Sequence, residues 1–221
     1  MQIKKSLKLI FHLCILLLIQ ATSNLYSQRN ITIMLDPAGS TSYTGRQIID
    51  TLERGISLQF CQKIKKKCAL QAPWITIIIT RNPGQDLQPL QNANFANKLN
   101  VDYYFNINFY KEKATKPNFF IYYFAHYNDF ITQRPDIYFC PFDQAHLQNS
   151  AQTHNLANSL CSFFKQNPYK KSFLIHEPVG LQFKPLVGIV APALGLEIGL
   201  KKSKDWKQYI EPLLNYITTL S

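Results

Sequence analysis

Residues 30–68 read NITIMLDPAGSTSYTGRQIIDTLERGISLQFCQKIKKKC, and this stretch decides the fold. The apolar, β-branched run at residues 31–35 predicts a buried strand. Asp36 and Pro37 end that strand, and a loop of small residues follows. Beyond Gly45 the pattern predicts a helix, because four apolar side chains recur on one helical face: Ile49, Ile56, Phe60 and Ile64.

Glu53 falls on the same face of this predicted helix, four residues after Ile49 and three before Ile56. A carboxylate is almost never fully buried unless it is paired or bound to something. The sequence therefore predicts that Glu53 faces a ligand site, an ion pair or a metal ion.

Further strands and helices alternate along the chain. Residues 74–80 form a continuous β-branched run, which is typical of a strand that is buried on both faces of a parallel sheet. Other strands are predicted at residues 101–109, 119–126 and 192–200, with short candidates at 137–140, 173–175 and 187–189. Helices are predicted at 89–99, 150–165 and 207–220, and a loop at 128–143. This order predicts a three-layer α/β fold, with a mostly parallel sheet of about five or six strands and helices on both faces.

Three polar residues, Asp36, Asn108 and Glu197, each lie towards the end of a predicted strand. Ligands of open α/β sheets bind just beyond the carboxyl ends of the strands. We therefore expect these three side chains to cluster at one edge of the sheet, whatever chemistry takes place there.

The first 23 residues have the pattern of a secretory signal peptide. Lysines at positions 4, 5 and 8 precede an apolar segment at 9–19, and Ala21-Thr22-Ser23 offers a cleavage site. The apolar segment is short for a membrane span, which needs about 20 residues; an uncleaved anchor is the alternative. We expect residues 24–221 to form a single secreted or periplasmic domain that is not an integral membrane protein after cleavage.

Charge and cysteine content narrow the partners. The formal net charge is +11, but no groove-reading motif accompanies it, so a nucleic-acid partner is not expected. A general solvent-exposed face accounts for the charge, and attraction to an anionic cell-wall polymer is the alternative.

Export permits disulfides among the cysteines beyond residue 23, but no C-x-x-C pair indicates a zinc ribbon, and small buried thiols are expected. These cysteines are Cys61, Cys68, Cys140 and Cys161.

The chain resembles the zinc-dependent N-acetylmuramoyl-L-alanine amidases, which cut the bond between muramic acid and the stem peptide of the bacterial cell wall. In that family the first strand ends in Asp-Pro-Gly-His-Gly, where this chain has Asp36-Pro37-Ala38-Gly39-Ser40. The resemblance continues at Thr80-Arg81, at Ala96-Asn97 and at the strand that contains Glu197. It spans the chain from about residue 31 to the C-terminus.

The resemblance implies roles for particular positions. Glu53 matches the second zinc ligand, and Glu197 matches the glutamate that assists catalysis. The two histidine ligands of the family are replaced by Gly39 and Asn108. Any metal role of Glu53 is therefore vestigial, and no cofactor is expected unless a substitute ligand such as His126, His154 or His176 rebuilds a zinc site.

Loss of the metal would leave two carboxylates together in one pocket. An arginine in place of zinc could neutralise both through charge-assisted hydrogen bonds, and Arg46 and Arg54 are the candidates. The predicted binding pocket comprises Asp36, Arg46, Glu53, Arg54, Asn108 and Glu197.

Two functions follow from these predictions. The first is an exported, catalytically inactive amidase-like protein that binds peptidoglycan or an envelope protein. The second is an active peptidoglycan hydrolase, either a zinc amidase with substitute ligands or a metal-free enzyme that uses Glu53 and Glu197, with Glu197 as the catalytic residue.

Overall fold

Strand β1, Ile31–Pro37, lies inside the sheet, as its apolar and β-branched sequence predicts. Ile33, Met34 and Leu35 are fully buried, so both faces of the strand are covered. The computed structural model describes residues 29–87, 89–125, 142–166 and 168–220. Nearly all of these residues belong to one compact unit, Ile31–Ser221.

The strands and α-helices follow one another in a largely alternating order. They are β1, β2 (Gln47–Ile48), β3 (Thr51–Leu52), α1 (Glu53–Gln71), β4 (Ile75–Ile79), α2 (Pro89–Lys98), β5 (Tyr103–Lys111), β6 (Asn118–Phe124), α3 (Ser150–Lys165), α4 (Tyr169–Ser172), β7 (Leu174–Ile175), β8 (Val179–Leu181), β9 (Ala193–Leu200) and α5 (Ile210–Ile217). Short 3-10 helices occupy Phe142–Asn149, Lys184–Leu186, Asp205–Tyr209 and Thr218–Leu220.

Seven of the described strands form one sheet in the order β4-β1-β5-β9-β6-β7, with β8 also paired to β6. Every pairing is parallel except the one between β6 and β9. The predicted α/β class and the mostly parallel sheet are confirmed. The sheet is wider than predicted because two short strands, β7 and β8, extend it beyond β6, and β8 was not predicted.

The parallel register places polar residues at neighbouring levels of adjacent strands. Asp36 of β1 pairs with Asn106 of β5, and Asn108 of β5 pairs with Glu197 of β9. The strands run in the same direction, so these residues lie towards the same carboxyl edge of the sheet. β5 and β9 continue for three residues beyond Asn108 and Glu197, to Lys111 and Leu200.

Helices cover both faces of the sheet, as predicted. On one face α1, α3 and α5 pack against alternate residues of the strands, with Phe60, Leu160 and Leu213 in the core. On the other face α2 contributes Ala93 and Ala96 to a smaller core beneath Met34 and Tyr104. The three-layer arrangement therefore buries apolar side chains above and below the same strands.

The first helix begins later than its apolar pattern predicts. Ile49 was expected on its buried face, but it precedes the helix, has a φ of 56°, and is exposed. The β2–β3 hairpin occupies this segment instead. The backbone N–H of Glu53 donates to the carbonyl of Arg46, at 2.9 Å, and so ties the hairpin to the first helical residue. Ile56, Phe60 and Ile64 are buried on the helix as predicted.

Two other predicted elements differ from the observed ones. Residues 187–189 do not form a strand, because Val187 and Ile189 donate to the carbonyls of Lys184 and Leu186 and so continue a series of turns. The predicted closing helix at 207–220 is divided, with α5 flanked by two 3-10 helices. The strands predicted at 74–80, 101–109 and 192–200 are confirmed, with slightly shifted ends.

Several predictions lie outside the described residues. These are the signal peptide at 1–23, the short strand at 137–140, most of the loop at 128–143, His126 and Cys140. Within the described part of the chain, no helix combines the length and apolar composition that a membrane span requires.

The three described cysteines are free thiols in the core. Cys61 and Cys68 lie on α1, Cys161 lies on α3, and all three are buried. They pack as small apolar residues, as expected. Burial raises the pKa of Cys61 well above its usual value, which keeps this thiol protonated.

The turn between β5 and β6 is organised by the Glu112 carboxylate. It accepts hydrogen bonds from the Tyr110 hydroxyl and from the backbone N–H groups of Lys113, Ala114 and Asn118. The side-chain amide of Asn118 is a further donor, at 2.8 Å. Burial raises the pKa of the carboxyl, but these hydrogen bonds outweigh burial and lower the pKa to about 2, from an ordinary value of 4.5.

We predict that Glu112→Gln lowers the free energy of unfolding at pH 7 by about 1–2 kcal/mol, after allowance for solvent screening of this half-buried group. The folded-state pKa is depressed, so the stabilisation is complete above pH 4.5 and is lost as the pH falls from 4.5 towards about 2. Urea unfolding of the wild type and the variant across this pH range would measure the difference in the free energy of unfolding. Glu177→Gln, at an exposed ion pair with Lys165, is the control and should change stability much less, because exposed ion pairs contribute little. Equal effects of the two substitutions would contradict the prediction.

Candidate ligand site

A cavity of about 360 Å³ opens at the carboxyl ends of β1 and β5. Most of its lining residues are polar, and they come from the loop after β1, the start of α1, the end of β4, α2, β5 and the segment before β9. The lining includes Asp36, Gly39, Ser40, Ser42, Tyr43, Arg46, Glu53, Thr80, Arg81, Asp86, Asn92, Asn106, Asn108 and Lys184. A cavity of this size is within the range of small-ligand sites.

Asp36 forms the buried floor of the cavity. Its carboxylate accepts hydrogen bonds from the Thr80 hydroxyl (2.7 Å), the Asn92 amide (3.0 Å) and the Asn106 amide (2.7 Å). Burial raises the pKa of Asp36, and the hydrogen bonds from Thr80 and Asn106 oppose that rise. The floor is therefore a network that joins β1, β4, α2 and β5.

Glu53, the first residue of α1, is buried beside this floor. One carboxylate oxygen accepts from the backbone N–H of Phe109 and the other from the backbone N–H of Arg46, each at 2.9 Å. Burial raises the pKa of Glu53 despite these bonds. Gly45 has a φ of 73°, and a Cβ there would lie 2.8 Å from a Glu53 carboxylate oxygen, so the close approach requires glycine.

Arg46 connects the two carboxylates. Its backbone bonds Glu53, while its guanidinium forms an ion pair with Glu197 and lies 6.0 Å from the centre of the Tyr110 ring. The second oxygen of Glu197 accepts from the Tyr122 hydroxyl at 2.8 Å. Burial lowers the pKa of Arg46, but attraction to Glu197 and Glu53 raises it above its ordinary value. The arginine thus stays charged between two acids.

The two positions where the resemblance expects histidine ligands are occupied differently. Gly39 has a φ of 78°, and a Cβ there would lie 2.7 Å from the Cβ of Arg54. The amide of Asn108 donates to the Asn106 side chain and to the carbonyl of Leu196. Gly39 has no side chain to ligate a metal ion, and Asn108 offers an amide oxygen in place of an imidazole nitrogen.

Of the six residues predicted for the pocket, four line the cavity: Asp36, Arg46, Glu53 and Asn108. Glu197 does not line it, but it pairs with Arg46 and lies opposite Asn108 on the neighbouring strand. Arg54 is held apart from the two glutamates. Its guanidinium donates to the carbonyls of Ser40, at 3.2 Å, and Thr41, at 3.4 Å, and so supports the outer part of the loop after β1.

The sequence analysis did not predict the structural role of Arg81. Its side chain is buried and donates to the carbonyls of Pro37, Ala38 and Arg54, which fixes the loop after β1 against α1. Burial lowers the pKa of this guanidinium. The Thr80-Arg81 pair at the end of β4 was the only signal for this role, but nothing in the sequence identifies backbone carbonyls as its partners.

The described residues do not fit a catalytic zinc site, which needs three protein ligands and an open position. No group of three His, Cys, Asp or Glu side chains in this part of the chain could hold a metal ion. The described histidines pack elsewhere: His176 stacks on Phe120, His154 lies against Tyr123, and His146 lies against Phe124.

Comparison with known proteins gives a likeness in structure. No protein-family model matches the sequence, and no curated protein matches it. The catalytic domain of CwlV, an N-acetylmuramoyl-L-alanine amidase from Bacillus (Paenibacillus) polymyxa var. colistinus, superposes with a TM-score of 0.57 and 15% identity over 86% of this chain and 97% of that chain. An N-acetylmuramoyl-L-alanine amidase from Clostridium difficile 630 superposes with a TM-score of 0.56 and 17% identity, over 87% of this chain and 97% of that chain.

A third similar structure is the CwlD amidase from Clostridioides difficile in complex with the GerS lipoprotein. It has a TM-score of 0.58 and 16% identity, over 85% of this chain and 94% of that chain. At such identities the likeness concerns the arrangement of strands and helices. The chain therefore has the α/β fold of the N-acetylmuramoyl-L-alanine amidase catalytic domains.

Proposed function

We propose that the chain is an exported amidase-like protein that binds peptidoglycan through the cavity and has lost zinc-dependent hydrolysis. The observation that carries the proposal is Arg46, whose backbone N–H bonds Glu53 and whose guanidinium pairs with Glu197. The resemblance to the amidases assigns these two glutamates to the zinc ligand and the assisting acid. In this chain a permanent guanidinium charge pairs with Glu197, and backbone N–H groups satisfy Glu53.

The bonding of both carboxylates supports the loss of hydrolysis. A glutamate that ligates zinc or moves a proton must direct a lone pair at the metal or the water, and each accepted hydrogen bond uses one of its about four lone pairs. Both oxygens of Glu53 accept backbone N–H groups, and Glu197 accepts from Arg46 and Tyr122. These bonds direct both carboxylates at protein groups, and Gly39 and Asn108 supply no imidazole beside them, so the site lacks the ligand set that lowers the pKa of an attacking water.

The chemistry of the cavity supports a peptide-bearing wall fragment as the ligand. Three amide side chains, Asn92, Asn106 and Asn108, line it, and the buried carbonyl oxygen of Asn92 has no hydrogen-bond partner among the described residues. A buried acceptor without a partner makes binding more favourable when a ligand N–H or O–H reaches it. Lys184 lies at the mouth and could pair with a stem-peptide carboxylate. An envelope protein is the alternative partner; the CwlD amidase, for comparison, was solved with a lipoprotein.

The closed position at Gly39 gives a stability prediction. A side chain there must adopt the left-handed backbone region, at a cost of about 1–2 kcal/mol, and must also displace Arg54. Gly84 is the matched control, because its φ is 82° and a Cβ there meets nothing within 4 Å. We expect Gly39→Ala to lower the free energy of unfolding by about 1–3 kcal/mol more than Gly84→Ala does. Equal losses in urea unfolding would mean that the first ligand position is open after all.

The bonding of Glu53 gives a second stability prediction. Glu53→Ala removes the acceptor of two backbone N–H groups, those of Arg46 and Phe109. We expect a loss of about 2–4 kcal/mol in the free energy of unfolding, since each unsatisfied buried donor costs about 1–3 kcal/mol. Glu211→Ala, at an exposed pair with Lys67, should cost less than about 1 kcal/mol. An unchanged melting temperature for Glu53→Ala would rule out the proposed network.

Sedimentation with purified insoluble peptidoglycan tests the function itself. We expect the protein to bind without releasing stem peptide, and to contain far less than one zinc ion per chain by mass spectrometry. Lys184→Ala should weaken binding about two- to fivefold, as expected for one partly exposed ion pair, whereas Lys98→Ala, with the same loss of charge, should not. Absence of binding would favour a protein partner. One zinc per chain together with release of stem peptide would establish the active hydrolase.

A further inference from the structure

A strongly basic surface lies beyond the ends of β5 and β9, outside the cavity. Three segments supply it: the β5–β6 turn, helix α4 and the loop after β9. Its lysines are Lys111, Lys113, Lys116, Lys170, Lys171, Lys201, Lys202 and Lys204, which we call the lysine rim. All are exposed except Lys116, which is half-buried.

Direct contacts fix the order of the three segments. The Lys201 ammonium donates to the carbonyl of Thr115 at 3.1 Å, which joins the loop after β9 to the β5–β6 turn. The Lys116 ammonium donates to the carbonyl of Lys170 at 2.7 Å, which joins the same turn to α4. The β5–β6 turn is therefore in contact with both of the other segments, and the lysines of all three belong to one surface.

The charge of the lysine rim is mostly positive. Glu112 and Asp205 are the only acids in these three segments, and both carboxylates are used internally. Glu112 bonds the backbone of its own turn, and Asp205 accepts from the backbone N–H of Lys202 at 2.8 Å. Eight lysines against two acids leave an excess of six positive charges, more than half of the net +11 of the whole chain. A surface that serves solubility alone mixes both signs, so this concentration calls for an anionic partner.

We propose that the lysine rim binds a linear polyanion that carries phosphate groups along its length. Lysine ammonium groups on loops are mobile point charges, which suit repeated phosphates without a fixed geometry. Lysines on three adjoining segments can each neutralise a different phosphate along one polymer chain. The rim also adjoins the cavity, because Tyr110 bonds Glu112 through its hydroxyl while its ring lies near the Arg46 guanidinium. A bound polymer would thus hold the cavity close to an envelope surface.

Long-chain inorganic polyphosphate is the probe, and its affinity is measured by isothermal titration calorimetry at several salt concentrations. The rim variant is Lys113→Gln with Lys171→Gln and Lys202→Gln. The control variant is Lys65→Gln with Lys66→Gln and Lys98→Gln, which removes the same charge from exposed helical positions. We expect the rim variant to reduce the slope of log affinity against log salt by about 2, at roughly 0.7 for each phosphate that a lysine no longer neutralises. The control should retain the wild-type slope.

The alternatives give different results. Equal reductions in the two variants would overturn the proposal, since net charge alone would then explain binding. Binding to vesicles of anionic phospholipid without binding to polyphosphate would also overturn it, in favour of a membrane surface. Far-UV circular dichroism establishes that both variants are folded. The test is independent of the cavity, because none of the six substituted lysines lines it.

Discussion

The carboxylate of Glu53 joins three separate parts of the molecule. It is the first residue of α1, it accepts from the backbone of Arg46 in the loop that follows β1, and it accepts from the backbone of Phe109 inside β5. Helix, loop and strand can therefore take only one mutual position. The cavity exists because these three elements meet at the carboxyl edge of the sheet without filling it, while Arg81 fixes the same loop from the side of β4.

Arg46 balances charge at the site, and on the proposed function it does so in place of a metal ion. Glu197 and Glu53 repel one another across the site, and some cation has to balance them. A metal ion would do so while keeping a coordination position for water. A guanidinium balances charge but has no such position, so an arginine can preserve the structure of such a site without supplying a place for the attacking water. Fold and chemistry are separable at this level, since the strands and helices around the site are held by their own cores.

Much of this arrangement could be predicted from the sequence, and the exceptions have physical causes. The β-branched runs of β1 and β4 and the apolar face of α1 are local patterns, so they predicted their elements. The prediction for Ile49 was wrong because a positive φ turns the chain before the helix begins, and the spacing of apolar residues does not reveal such a turn. Whether Arg46 or Arg54 pairs with a glutamate of the site depends on the path of the loop in space, which the sequence does not show. The partners of Asp36 at Thr80 and Asn92 are 44 and 56 residues away in the chain, beyond the reach of any local pattern.

The buried thiols have a consequence for how this protein must be made. In the folded chain Cys61 is protonated and enclosed, so oxidants and disulfides cannot react with it. In the unfolded chain its pKa returns to its ordinary value, and if the chain is exported, as proposed above, every thiol then meets an oxidising compartment. Parallel pairing between distant strands makes folding slow. In that case the yield of correctly folded protein depends on the rate of folding relative to the rate of thiol oxidation, and it does not depend on the stability of the folded state.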